Sequence, residues 1–102
     1  MELLTKQLRD QIPALYATEA DDDPIVHAKF FTPDSNWTWL VTEFDGSDIF
    51  FGYVMGHYPE YGYFSLRELE EVRGPLGLPI ERDLHFTPAP ISKLIGGKTD
   101  GR

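Results

Sequence analysis

The sequence predicts an α+β domain, with an antiparallel sheet of about four to five strands in a meander and two short helices packed on one face. Three observations predict it. Runs rich in aromatic and β-branched residues follow one another, separated by short stretches of turn chemistry. Two segments carry helix-start signals with an apolar stripe behind them. Strands and helices do not alternate in the way a parallel sheet demands.

Thr5 is placed to cap a first helix, with Leu8 and Ile12 four residues apart on one side, and Pro13 ends it. So short a helix is unstable alone and needs a sheet to lie on. Ile25 to Thr32 reads as one strand, with Val26, Ala28 and Phe30 on one face. Pro33-Asp34-Ser35-Asn36 is turn chemistry. Trp37 to Phe44 is the next strand, with Trp37, Trp39 and Val41 facing one way and Thr38, Leu40, Thr42 and Phe44 the other. Asp45-Gly46-Ser47-Asp48 reverses the chain, its glycine supplying a positive φ. Ile49 to Met55 follows as a strand apolar on both faces, and Tyr61 to Phe64 adds a short fourth. Ser65-Leu66-Arg67-Glu68 matches a capping box opening a helix that runs to Arg73, where Gly74-Pro75 stops it. Ile80 to Phe86 reads as an edge strand closed off by Pro88 and Pro90. Residues 1–95 are thus expected to form a single domain and 96–102 a flexible tail.

Composition narrows the chemistry. The 102 residues hold no cysteine, which excludes disulfides, thiolate metal sites and cysteine nucleophiles. No apolar run approaches the ~20 residues of a membrane helix, and the start Met1-Glu2-Leu3-Leu4-Thr5 lacks the pattern of a secretion signal. A cytosolic protein without membrane contact is expected. The formal charge is −8, and it is lopsided: residues 1–60 carry 11 acidic and three basic side chains, the remainder six of each. Such a field repels phosphates and favours a protein partner with a basic surface, so no direct nucleic-acid binding is expected. Asp21-Asp22-Asp23, ahead of Pro24, reads as a solvated loop or as an acidic tip that grips such a partner.

Three constellations could carry function. Glu81, Asp83 and His85 alternate, so on a strand they share one face and form a ligand set for a divalent ion; on an edge strand the same charges deter strand addition. His57, in Gly56-His57-Tyr58-Pro59-Glu60, could act as a base beside Glu60, although no nucleophile elbow accompanies it and Ser65 is accounted for as a helix cap. Glu43, Asp45 and Asp48 gather near the hairpin turn without the oxygen-rich loop that calcium needs. Gly96-Gly97-Lys98-Thr99 lacks the upstream glycine of a phosphate loop. The third constellation is aromatic: ten rings fall between Trp37 and Phe64. One sheet face absorbs part of them, and the other keeps large rings suited to a protein interface, with Trp37, Trp39 and Tyr53 as anchors. A second copy could equally cover that face, giving a homodimer.

Through Asn36-Trp37-Thr38-Trp39, Glu43-Phe44-Asp45-Gly46, Phe51-Gly52, Gly62-Tyr63-Phe64-Ser65-Leu66, Glu68-Leu69 and Ile80-Glu81-Arg82-Asp83, the chain resembles a bacterial family known as domain of unknown function 2958. The resemblance covers about residues 3–92. It implies a small protein carried by plasmids, phages and integrated elements. It brings no activity, cofactor or catalytic residue with it. Together these readings lead to a non-enzymatic accessory module that binds a protein partner, with no cofactor. Two alternatives stand beside it. One is a small metal-assisted hydrolase using Glu81, Asp83 and His85. The other is a nucleic-acid mimic that blocks a DNA-binding defence protein.

Overall fold

In the computed structural model, which describes residues 1–96, the first helix, α1, spans Lys6–Gln11. Thr5 caps it by accepting the Leu8 N–H at 3.1 Å. No residue inside α1 is buried. The residues that anchor it lie at its two ends, where Leu3, Leu4 and Ile12 are 8% exposed or less. Half-buried Leu8 adds a contact from within the helix.

The strands are β1 (Ile25–Val26), β2 (Ala28–Phe31), β3 (Thr38–Phe44), β4 (Ile49–Met55), β5 (Pro59–Ser65), β6 (Glu81–Arg82) and β7 (Ala89–Pro90). Five of them form an antiparallel sheet in the order β5-β4-β3-β2-β6, and β1 pairs with β7 in a separate two-stranded ribbon. The meander β2-β3-β4-β5 follows from turn residues, above all Asp45. Its carboxylate accepts the N–H groups of Ser47, Asp48 and Ile49 at 2.7–3.0 Å, while Gly46 takes φ 89°.

Helix α2 spans Leu66–Glu71 directly after β5. Ser65 accepts the Glu68 N–H, and its hydroxyl donates to Asp48 at 2.7 Å. Asp48 also takes the Arg67 N–H at 2.9 Å, so one turn residue ties the hairpin to the helix start. The loop after α2 is held by Asp34, whose carboxylate accepts the Leu76 N–H at 2.8 Å.

Helices α1 and α2 cover one face of the sheet. Phe30 and Phe50 are fully buried there, with ring centroids 5.6 Å apart, and Phe44 stacks on Phe50 at 4.5 Å. Burying each such ring contributes about 1.5–3 kcal/mol. On the opposite face, Val26, Leu40 and Ile91 form a smaller core. It is covered by the β1-β7 ribbon and a third helix, α3 (Ile91–Ile95), closed by Gly96 at φ 72°. Pro90 starts α3 without a side-chain cap; Asp23 reaches across instead and accepts both the Ser92 N–H and its hydroxyl.

The structure departs from the sequence expectation in four places. The strand expected over Ile25 to Thr32 breaks at His27, whose N–H donates to the Val41 carbonyl at 2.9 Å. Val26 consequently joins the smaller core, while Ala28 and Phe30 join the larger. A bulge between Val41 and Glu43 inserts one residue into β3. It moves Phe44 from the side of Leu40 to the side of Trp39 and Val41. The expected edge strand over Ile80 to Phe86 contracts to Glu81–Arg82, because Asp83 turns the chain by accepting the His85 N–H. Helix α3 was not anticipated: Pro88 and Pro90 read as terminators, yet proline is also favoured at a helix start. Apart from Gly96, the expected tail lies outside the described residues.

Candidate interaction surface

The three expected anchors do not share a face. Trp39 is only 8% exposed and belongs to the larger core. Trp37, half-buried, stacks on it with centroids 5.8 Å apart. Tyr53 pairs with Leu40 and lies on the other side, packed against the smaller core. The single aromatic face proposed from alternation is therefore corrected to two: the indoles back onto α1 and α2, and the tyrosine faces the side of α3.

Glu81, Asp83 and His85 border one groove without converging as a ligand set. Strand geometry would have aligned them, but the regular strand ends at Arg82 and the chain turns at Asp83. Asp83 lies 3.8 Å from the Lys29 ammonium and accepts a backbone bond from His85. Among the described residues, no three histidine or acidic side chains come together as a metal site. The trio borders, with Lys29, Phe31 and Trp37, a mixed groove of about 500 Å³.

The acidic run has local work. Asp21 accepts the Asp23 N–H, and Asp23 grips Ser92, whose hydroxyl bond holds the Asp23 carboxyl below its ordinary pKa. Asp45 and Asp48 are likewise lowered, chiefly by the backbone N–H groups of Asp48 and Arg67 respectively. Glu43, read from sequence as part of a hairpin cluster, points away from it. It is fully buried and accepts the Tyr16 and Thr18 N–H groups at 2.8 and 2.9 Å, and the Thr18 hydroxyl as well. Asp21, Asp23, Asp34, Glu43, Asp45, Asp48 and Asp83 each accept a backbone N–H group.

Apart from Tyr16, the exposed aromatic side chains lie on β5 and the turn before it. Tyr58 is 80% exposed and Tyr63 53%. Behind them the rings interlock: Phe51 lies 4.8 Å from Tyr63 and 5.9 Å from Tyr61, and Tyr53 lies 5.1 Å from Tyr61. At the mouth of the β4–β5 turn, Trp37, Val54, His57, Tyr58 and Glu60 border a recess of about 510 Å³. The His57 ring stands nearly perpendicular to the Trp37 indole at 5.5 Å. Sequence reasoning placed His57 beside Glu60 but assigned the pair to base chemistry. It missed Trp37 as their neighbour, because that contact depends on the register that puts Thr38 opposite Met55.

The two edges of the sheet differ. Strand β6 is two residues long and charged, whereas β5 has seven residues and closes the sheet on its side. Among the described residues, no helix is long and apolar enough to cross a membrane.

These features define a small α+β domain built on a five-stranded antiparallel sheet with an aromatic terminal hairpin. The chain belongs to the family described as protein of unknown function (DUF2958), whose model matches residues 3–96. No curated protein and no solved structure matches it.

Proposed function

We propose that the domain is a non-enzymatic protein-interaction module that takes an extended, basic segment of a partner protein along β5. The observation that carries this reading is the unequal treatment of the two sheet edges. Exposed edges are commonly shortened or charged to prevent strand addition. Strand β6 is both, whereas β5 runs for seven residues and carries a single charged side chain, Glu60, after Pro59 at its start. Backbone groups of a terminal strand can pair with an incoming strand, and alternate side chains then confer specificity. Tyr58 and Tyr63 offer apolar area with a polar tip beside that edge. The charge of −8 steers a basic partner and works against pairing of β5 with a second copy of the same chain.

Selection from a displayed random-peptide library tests the reading. Peptides that are extended in the complex and enriched in lysine and arginine are expected. Tyr63→Lys, which places a guarding charge on the edge, should weaken the selected peptides by tenfold or more while the variant stays folded by circular dichroism. Failure to enrich any sequence, or equal binding by Tyr63→Lys, would overturn it.

A further inference from the structure

The recess beside β5 has a chemistry more specific than general stickiness. We infer that it receives the guanidinium of an arginine side chain presented by the partner, an inference that rests on the interaction-module reading and deepens it. Its border combines three rings, Trp37, His57 and Tyr58, with the carboxylate of Glu60 and the aliphatic Val54. Among the described residues, no lysine or arginine lines it. Aromatic faces carry negative charge density and attract cations within about 6 Å, and indole does so most strongly. A neighbouring carboxylate adds a direct charge partner. Guanidinium suits such a site better than ammonium because it is planar, stacks on rings and gives up its hydration more readily. A volume of about 510 Å³ lies within the range of ligand-binding clefts and leaves room for the side chain and its stem.

The central ring is held in place before any ligand arrives. Trp37 stacks on the buried Trp39 on one side and meets His57 on another. Gly56 packs so closely on the indole that a Cβ there would stand 2.3 Å from its Cζ3 atom. A ring fixed in this way loses little freedom on binding, which favours affinity. The site also sits where β5 begins, so a strand laid along that edge could place one side chain into it.

Titration of the isotope-labelled full chain with acetyl-arginine methylamide at pH 8, followed by NMR, tests the inference against the uncharged isostere acetyl-citrulline methylamide. The expected result is a saturable shift of the Trp37 indole N–H and the Gly56 amide with arginine and none with citrulline. Tyr58→Ala and Glu60→Gln, both at exposed positions, should each weaken the arginine response about two- to fivefold. Equal response to citrulline, shifts confined to other parts of the surface, or indifference to both substitutions would overturn it. Because the probe has no strand to add, this outcome is separate from that of the edge experiment. Peptides that still need an intact β5 but ignore Tyr58→Ala and Glu60→Gln would sink the arginine site and leave the module reading standing.

Discussion

Glu43 offers the sharpest test of how this chain is held together. Its carboxylate is fully buried, yet it serves a loop rather than a core partner: residues 16 and 18 donate two backbone N–H groups and one hydroxyl to it. Tyr16 adopts φ 70°, a left-handed conformation uncommon outside glycine, and one of these bonds holds it. Hydrogen bonds to a charged group contribute about 1.5–3 kcal/mol each. In Glu43→Gln the amide keeps one acceptor oxygen and turns a donor toward a donor, so a loss of about 2–3 kcal/mol is expected. Glu43→Ala strands both N–H groups and leaves a cavity. The exposed loop can open to water and recover part of that cost, which places the expected loss at about 3–5 kcal/mol. Total stability for such a domain is about 5–15 kcal/mol, so either change is large. Urea unfolding followed by circular dichroism reads the effect. With a slope of about 1–1.5 kcal/mol per molar, the glutamine variant should move the midpoint down by about 1.3–3 M. Hydrogen exchange at Tyr16 and Thr18 should rise in the same variant before that of the central strands. A glutamine variant within about 0.5 kcal/mol of the parent, with unchanged protection at those two amides, would refute the reasoning.

Two further predictions concern the other acid-fastened turns. Gly74 lies against Asp34 so tightly that a Cβ would meet Oδ1 at 1.7 Å. Gly74→Ala must therefore expel the carboxylate from its bond to Leu76, costing about 1–3 kcal/mol. Asp34→Ala removes the same bond, so a double-mutant cycle in urea should show clear non-additivity rather than a simple sum. Asp48 has its folded-state pKa lowered, first by the Arg67 N–H and then by the Ser65 hydroxyl. Its contribution is present above the unfolded carboxylate value near 3.9 and is lost as pH falls through the lower folded value. The stability gap between the parent and Asp48→Asn, measured by urea unfolding at pH 5.5, 4 and 3, should narrow toward the acid end; a constant gap would contradict the assignment.

Much of the scaffold is legible in the chain itself. Strand β4 spans the stretch expected from its composition, Thr5 and Ser65 cap their helices as their positions suggest, and the Asp45-Gly46 turn reverses the chain as its chemistry requires. What escaped has a common physical origin. Alternation assigns faces only while a strand stays regular. The bulge at Val41/Glu43 and the break at His27 each shift the count by one, and every side chain beyond them changes sides. Phe44 and Val26 were misplaced for that reason. The site suffered from a second difficulty. Trp37 and Trp39 are neighbours of the same type at the same parity, and only packing decides that Trp39 is sealed while Trp37 reaches the edge of a recess. Replacement of Trp39 therefore tests folding, whereas Tyr58, Glu60 and Tyr63 can be altered to test binding.

The carboxylates at the bends carry one more consequence. Because these side chains accept the hydrogen bonds that hold the turns, the electrostatic field around the molecule cannot be removed at those positions without loosening its corners. Truncating those side chains to alanine to weaken long-range attraction for a cationic partner would also unfasten the hairpin, the α3 tether and the loop behind α2. A variant that keeps its outline while losing its field must draw its substitutions from acids that fasten nothing, and Glu70 and Glu71, exposed at the end of α2, are where such a series should begin.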